Sequence, residues 1–182
     1  MDRTAPDQAA RVLIDVPVAG HCGGGATVRI CGVTSGPLTA DECILCRPEL
    51  ADAQFKRTRI WEDEHWRLSA VLQGPIAGFA HLEPRRHIPF ITDLDGTEAA
   101  TLGFVLSRAA RTLRQAAHAE KTYVYVFGDR TPHLHFNLAP HSQGDALRGG
   151  SGLVEPDVEE VALAVHQAVA EEARLALANE ED

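Results

Sequence analysis

Alternation of apolar and polar positions organises the middle of the chain. Arg59-Ile60-Trp61 and Trp66-Arg67-Leu68-Ser69-Ala70-Val71 read as strands on either side of the acidic turn Glu62-Asp63-Glu64. A third strand, Gly78-Phe79-Ala80-His81-Leu82-Glu83, is stopped by Pro84. The period then changes. Asp95 and Glu98, three apart, mark a helix N-terminus. Leu102, Leu106, Ala109, Leu113 and Ala116 continue at spacings of three and four as one apolar face. Arg108, Arg111 and Arg114 fall elsewhere on that helix, as a solvated stripe. Thr122 to Phe127 is the strongest strand signal, and a loop from Gly128 to Pro132 leads to another strand, His133 to Ala139, bounded by Pro140.

The two ends differ from this middle. Val12–Val18 and Thr27–Cys31 read as short strands around the glycine-rich loop His21-Cys22-Gly23-Gly24-Gly25, which lacks the Lys-Ser/Thr ending of a phosphate-binding loop. Residues 144–152 read as a glycine-rich linker. Val158, Val161, Val165, Ala168 and Val169 predict a terminal amphipathic helix over 155–175 with an acidic outer face.

Length and composition narrow the class. A chain of 182 residues suits one domain with extensions, and 45% hydrophobic with 24% charged residues excludes disordered, collagen-like and disulfide-scaffold chains. No apolar run approaches the ~20 residues of a membrane span, and the polar start, Met1 to Asp7, has no apolar leader core. With four sparse cysteines, the expected compartment is the cytoplasm. The net charge of −9 is unevenly spread: residues 153–182 hold nine acids and one base, leaving −1 for residues 1–152. The body can therefore hold a phosphate locally. It has no basic stripe, which argues against a nucleic acid polymer as partner.

Candidate chemistry concentrates in Pro132-His133-Leu134-His135-Phe136-Asn137-Leu138-Ala139-Pro140. In a strand, His133, His135 and Asn137 share one face at about 6–7 Å spacing, with Leu134, Phe136 and Leu138 in the core behind. Such a row suits metal binding or charge stabilisation at one reacting centre, and equally an ordinary half-exposed strand. Cys43-Ile44-Leu45-Cys46 is the kind of pair that supplies half a zinc site, a redox couple, or two buried thiols. His87, in Pro84-Arg85-Arg86-His87, is a candidate third ligand.

These pieces stand in the order Cys43-x-x-Cys46, Trp61-Glu62-Asp63, Pro84-Arg85-Arg86-His87, helix, His133-Leu134-His135-Phe136-Asn137, and in this order the chain resembles the histidine triad superfamily. The resemblance covers roughly residues 41–148. It leaves 1–40 as an N-terminal β extension and 149–182 as linker and acidic C-terminal helix. The expected fold class is α+β: an antiparallel sheet of about five strands with a long helix on one face.

The resemblance implies a structural zinc, one per chain, held by Cys43, Cys46, His87 and His133. It implies that His135 is a nucleophile forming a covalent nucleotidyl-imidazole, its other nitrogen donating to a backbone carbonyl. It further implies a small phosphate-containing substrate of the nucleotide class and a homodimer. Asn137 is expected to donate to a phosphate oxygen, and Arg130 and Thr131, in the loop before the triad, to bind substrate.

Several positions depart from the pattern. Asn137 stands where most hydrolases have histidine; the hexose-phosphate uridylyltransferase branch has glutamine there. Phe79 replaces a frequent histidine, and Ala70-Val71-Leu72 lacks the carboxylate that commonly binds ribose. Nucleotidyl hydrolysis or transfer is thus the leading expectation. Different, non-nucleotide chemistry on the same scaffold in a specialised biosynthetic pathway, and a spent ligand-binding protein, are the competitors. His81, His118, His141 and His166 receive no role.

Overall fold

The structure, a computed structural model, describes residues 39–127, 131–145 and 159–179. The strands expected before residue 39 and most of the glycine-rich linker lie outside the described residues, as does Arg130. The described residues form eight main elements in chain order: α1 (Pro48–Phe55), β1 (Arg57–Glu62), β2 (Trp66–Val71), β3 (Ala80–Pro84), α2 (Gly96–Ala116), β4 (Lys121–Val126), β5 (Phe136–His141) and α3 (Leu163–Asn179). The strands form one antiparallel sheet in the order β1-β2-β3-β5-β4. This is the α+β architecture expected from the sequence, with the long helix on one face.

Each strand's alternation decides its two faces. Trp66, Leu68, Ala80, Leu82, Phe136 and Leu138 point to one side and are buried with Val105, Ala109, Leu113 and Ala116 of α2. Trp66 is wholly buried, and its indole N–H donates to Thr101 Oγ1 at 2.9 Å. The opposite face carries the odd-numbered positions. Across it runs one row set by register: Ser69 opposite His81, His81 opposite Asn137, and Asn137 opposite Tyr125.

Strand β5 differs from the expected His133–Ala139. It begins at Phe136 and runs through Pro140 to His141. His133 and His135 belong to the segment leading into the strand, which is where their side chains become free for other partners.

The start of α2 also departs from the expected capping pattern. Asp95 occupies the cap position but makes no side-chain bond to the helix. Its carboxylate, with that of Glu98, pairs instead with Arg86. The Arg86 guanidinium beside it holds the Glu98 carboxyl below its usual range. Arg108 also departs from the expected solvated stripe: it stacks over the Trp61 ring at 5.2 Å and donates to the Leu177 carbonyl at 2.8 Å.

Helix α3 starts later than the expected 155–175, and of the expected stripe within it only Val169 is buried, Ala168 being exposed. Val158 lies outside the described residues, and Val165 is exposed. His166, Val169, Ala170, Ala173 and Leu177 are the buried positions. They dock on α2, β1 and the turn between β2 and β3. In that turn the His166 Nε2–H donates to the Gly74 carbonyl at 3.0 Å. A Cβ on Gly78, which sits at φ +76°, would come within 2.9 Å of Val169, so the close approach of helix and turn requires glycine there. Leu177→Ala is expected to cost about 2–5 kcal/mol by leaving a cavity between α2 and α3. Urea unfolding of the variant reads this directly, and an unchanged midpoint would show that α3 does not contribute to the core.

No helix among the described residues is long and apolar enough to cross a membrane.

Candidate functional site

Three separated segments bring four sulfur and nitrogen atoms together. The tight turns of residues 39–47 carry Cys43 and Cys46; His87 follows the end of β3; His133 precedes β5. One ligand atom from each lies within 4.8 Å of all the others. Cys43 Sγ is 3.4 Å from His133 Nδ1, Cys46 Sγ is 3.4 Å from His87 Nδ1, and Cys46 Sγ is 3.5 Å from His133 Nδ1. A tetrahedral zinc with arms of about 2.3 Å to sulfur and about 2.0–2.1 Å to nitrogen has sulfur–nitrogen edges of about 3.5 Å. The donor set and its spacing therefore suit a structural zinc.

The surroundings fit the same ion. His133 is buried, and its Nε2–H donates to the Pro84 carbonyl at 2.9 Å. That bond fixes the tautomer and leaves the Nδ1 lone pair for the metal, the usual outer-shell arrangement for a metal-bound histidine. Burial pushes His133 down to about 4, which keeps the ring neutral as ligation requires. Burial and the neighbouring Cys43 push the Cys46 thiol up to about 12. Two such sulfurs side by side become thiolates only when a cation compensates them.

His135 stands beside this centre without belonging to it. Half-buried, it donates its Nδ1–H to the His133 carbonyl at 2.8 Å. In an uncharged imidazole this places the lone pair on Nε2. Thr131 is half-buried, and its carbonyl accepts the His133 N–H at 2.8 Å. Asn137 is buried, and its amide N–H donates to the Tyr125 carbonyl at 3.2 Å. One of the hydrogens expected for substrate is thus already committed within the sheet.

Sequence reasoning missed His81. The residue lies opposite Asn137, and its ring centroid is 5.5 Å from that of His135. Its Nδ1 accepts from Arg57 Nη1 at 3.2 Å. Arg57 is itself buried and paired with Glu83 at 3.0 Å and Asp52 at 3.0 Å. Burial, then Arg57 and His135, push His81 down to about 3, so its ring is neutral. Burial raises the Glu83 carboxyl against the lowering pull of Arg57 and Arg67. The available sequence signal was the alternation Phe79, His81, Glu83, which puts all three on the same face as Asn137.

Phe79 continues that face. Its ring meets His81 edge-on at 5.3 Å and lies near-parallel to Tyr125 at 6.4 Å. Both rings line a cleft of ≈ 370 Å³ together with Val71, Gln73 and Glu160.

Among solved structures the chain is similar to a zinc-bound histidine triad family protein from Mycobacterium smegmatis. The TM-score is 0.57 and the identity 21%, over 78% of this chain and 99% of that one. It is also similar to a hypothetical histidine triad nucleotide-binding protein from Sulfolobus tokodaii (TM-score 0.57, 16% identity, 76% of this chain and 94% of that one). A histidine triad protein from Bradyrhizobium japonicum matches with TM-score 0.53 and 23% identity over 68% and 93% of the two chains. The chain has the histidine triad fold. No protein-family model matches its sequence, and no curated protein matches it. Within the histidine triad fold, His133, His135 and Asn137 of this chain form the row His-x-His-x-Asn, with the zinc-type quartet at one end and the aromatic cleft beside the other.

Proposed function

We propose that this chain is a zinc-stabilised enzyme that hydrolyses or transfers a nucleotidyl group through a covalent intermediate on His135. The observation that carries the reading is the 2.8 Å bond from His135 Nδ1–H to the His133 carbonyl. With Nδ1–H spent on that carbonyl, the lone pair of an uncharged ring is left on Nε2, while the same segment is anchored by a proposed metal ligand two residues earlier.

In the proposed reaction the Nε2 lone pair attacks the α-phosphorus of a phosphoanhydride, phosphoester or phosphoramidate. A phosphorus–nitrogen bond forms, the bond to the leaving group breaks, and the leaving group departs with the electron pair and takes a proton from solvent. Water, or another hydroxyl acceptor, then attacks phosphorus. The phosphorus–nitrogen bond breaks, its electron pair returns to Nε2, and the acceptor's proton goes to solvent. When bound, zinc supplies rigidity: Cys43, Cys46, His87 and His133 would hold it with no open position.

The cleft supports a nucleotide as the group carried. Phe79 and Tyr125 offer near-parallel faces to a planar base, and Glu160 brings a carboxylate able to accept from sugar hydroxyls. That carboxylate comes from the C-terminal segment, where residues 70–72 offer none. The name of the Sulfolobus tokodaii protein, nucleotide-binding, agrees with this. We also place Arg130 and Thr131 at the phosphate, and the protein in the cytoplasm. Pairing of two chains is supported by the exposed Val124, Val126 and Phe127 along the edge strand β4, and a solution mass of two chains checks it.

Mixing the protein with adenosine 5′-phosphoramidate and quenching in alkaline denaturant, in which a phosphorus–nitrogen bond survives, should give an intact mass raised by one adenylyl group, located on His135. A panel of nucleotide substrates that yields neither adduct nor turnover would instead favour non-nucleotide chemistry on this scaffold. The observation behind that second reading is Asn137, whose amide is tied to Tyr125.

A further inference from the structure

We propose that His81, held by Arg57, is a catalytic residue that takes the place of the absent third histidine and donates its Nε2–H to an oxygen of the phosphate bound at His135. The proposal rests on the nucleotidyl reading for the identity of the ligand, but the donor itself follows from geometry.

Arginine carries only donors, so the 3.2 Å contact from Arg57 Nη1 makes His81 Nδ1 an acceptor. A neutral imidazole that accepts at Nδ1 has its single proton on Nε2. That nitrogen has no hydrogen-bond partner among the described residues. The ring it belongs to is edge-on to His135, and the two centroids are 5.5 Å apart.

Arg57 cannot swing away to release this tautomer. Its side chain is fully buried and bonded to Asp52 and to both oxygens of Glu83. The neighbouring cation Arg67 is likewise engaged, with Glu62 at 3.4 Å and Glu83 at 3.7 Å. The face beneath His135 therefore offers a phosphate a fixed neutral N–H rather than a mobile charge. Asn137, which stands at the third triad position, spends an amide hydrogen on the Tyr125 carbonyl instead. His81 lies directly across the register from it and fills the vacancy. The bond it makes transfers no proton: Nε2–H stays on nitrogen and strengthens its contact as negative charge grows on the phosphate oxygen.

The test uses the full zinc-loaded chain labelled with ¹⁵N-histidine, with AMP as probe and adenosine 5′-phosphoramidate as substrate. AMP should move the His81 Nε2 resonance while Nδ1 keeps the shift of an acceptor. His81→Phe should lower turnover by about 10²–10³-fold and weaken AMP binding with zinc content unchanged, while the melting temperature falls by a few degrees because buried Arg57 loses an acceptor. His81→Gln, which restores an amide N–H near the Nε2 position, should recover most of the loss. Unmoved His81 nitrogens at saturating AMP, no AMP binding by the wild-type chain, or equal turnover and AMP affinity in His81→Phe would each overturn the proposal. An AMP-induced shift at His81 without any adduct on His135 would leave His81 as the phosphate donor and remove only the covalent reading.

Discussion

Chelation of the purified protein is expected to collapse its cooperative unfolding transition, and Cys46→Ser to leave less than half an equivalent of zinc per chain. The quartet ties the 39–47 segment, whose Cys43 and Leu45 form with Ala51 a cluster separate from the main core, to the segment after β3 and the lead-in to β5, which sit in that core through Ile88 and Leu134. Remove the ion and only weak thiol–imidazole contacts of 3.4–3.5 Å remain to tie the 39–47 segment to the two histidines. Structural zinc sites contribute apparent binding free energies of about 10–16 kcal/mol at neutral pH, against a total stability of about 5–15 kcal/mol for a typical domain. Losing even about 4 kcal/mol lowers the melting temperature by about 8–16 °C at this chain length. Elemental analysis and calorimetry on the same sample check both halves. Metal-free protein that melts where the loaded protein melts would show that the quartet is not a structural zinc site.

Loss of the proposed nucleophile should be nearly as drastic for turnover and almost silent for folding. His135→Ala removes the lone pair proposed to attack phosphorus, and deleting a covalent nucleophile in other enzymes costs up to about 10⁶-fold in kcat. A fall of at least about 10⁴-fold is expected here, with no mass increment after an alkaline quench. Zinc content should stay at one per chain, because His133 and not His135 belongs to the quartet. The side chain is half-buried and gives up one hydrogen bond to the His133 carbonyl, so the change in stability should be about 1 kcal/mol. Separating the two readouts matters: a variant that lost zinc as well would report on the metal site. Full turnover in a zinc-loaded His135→Ala protein would end the covalent mechanism and turn attention to other chemistry on the scaffold.

Much of this was legible because short-range patterns matched long-range packing. Trp66 to Val71 has the bounds expected of it, since the acidic turn before it and the alternation within it both act locally. The zinc-type quartet was legible through the resemblance to the histidine triad order, since the Cys43-x-x-Cys46 pair alone left a redox couple or two buried thiols open. What stayed hidden depends on tertiary contact. The buried stripe of α3 is set by what Gly74 and Gly78 leave open, so Val169 keeps its expected contact while His166 and Leu177 join it in place of Val165. Asp95 left its capping role because Arg86, nine residues earlier, reaches its carboxylate. His81 was passed over because its partners, Arg57 and His135, lie on other strands or lead-ins, and no spacing rule connects them.

The order in which the four ligands leave the ribosome carries a further cost. Cys43 and His133 are 90 positions apart. At about 5–20 residues per second, the two thiols are synthesised some seconds, on the order of 5–20, before the histidine that completes their tetrahedron. For that interval a nascent chain holds a reactive dithiol without its mate. Until translation passes His133, protection must come from a loosely held ion or from reducing surroundings. An oxidant acting during synthesis would therefore damage the newborn protein far more readily than the finished one.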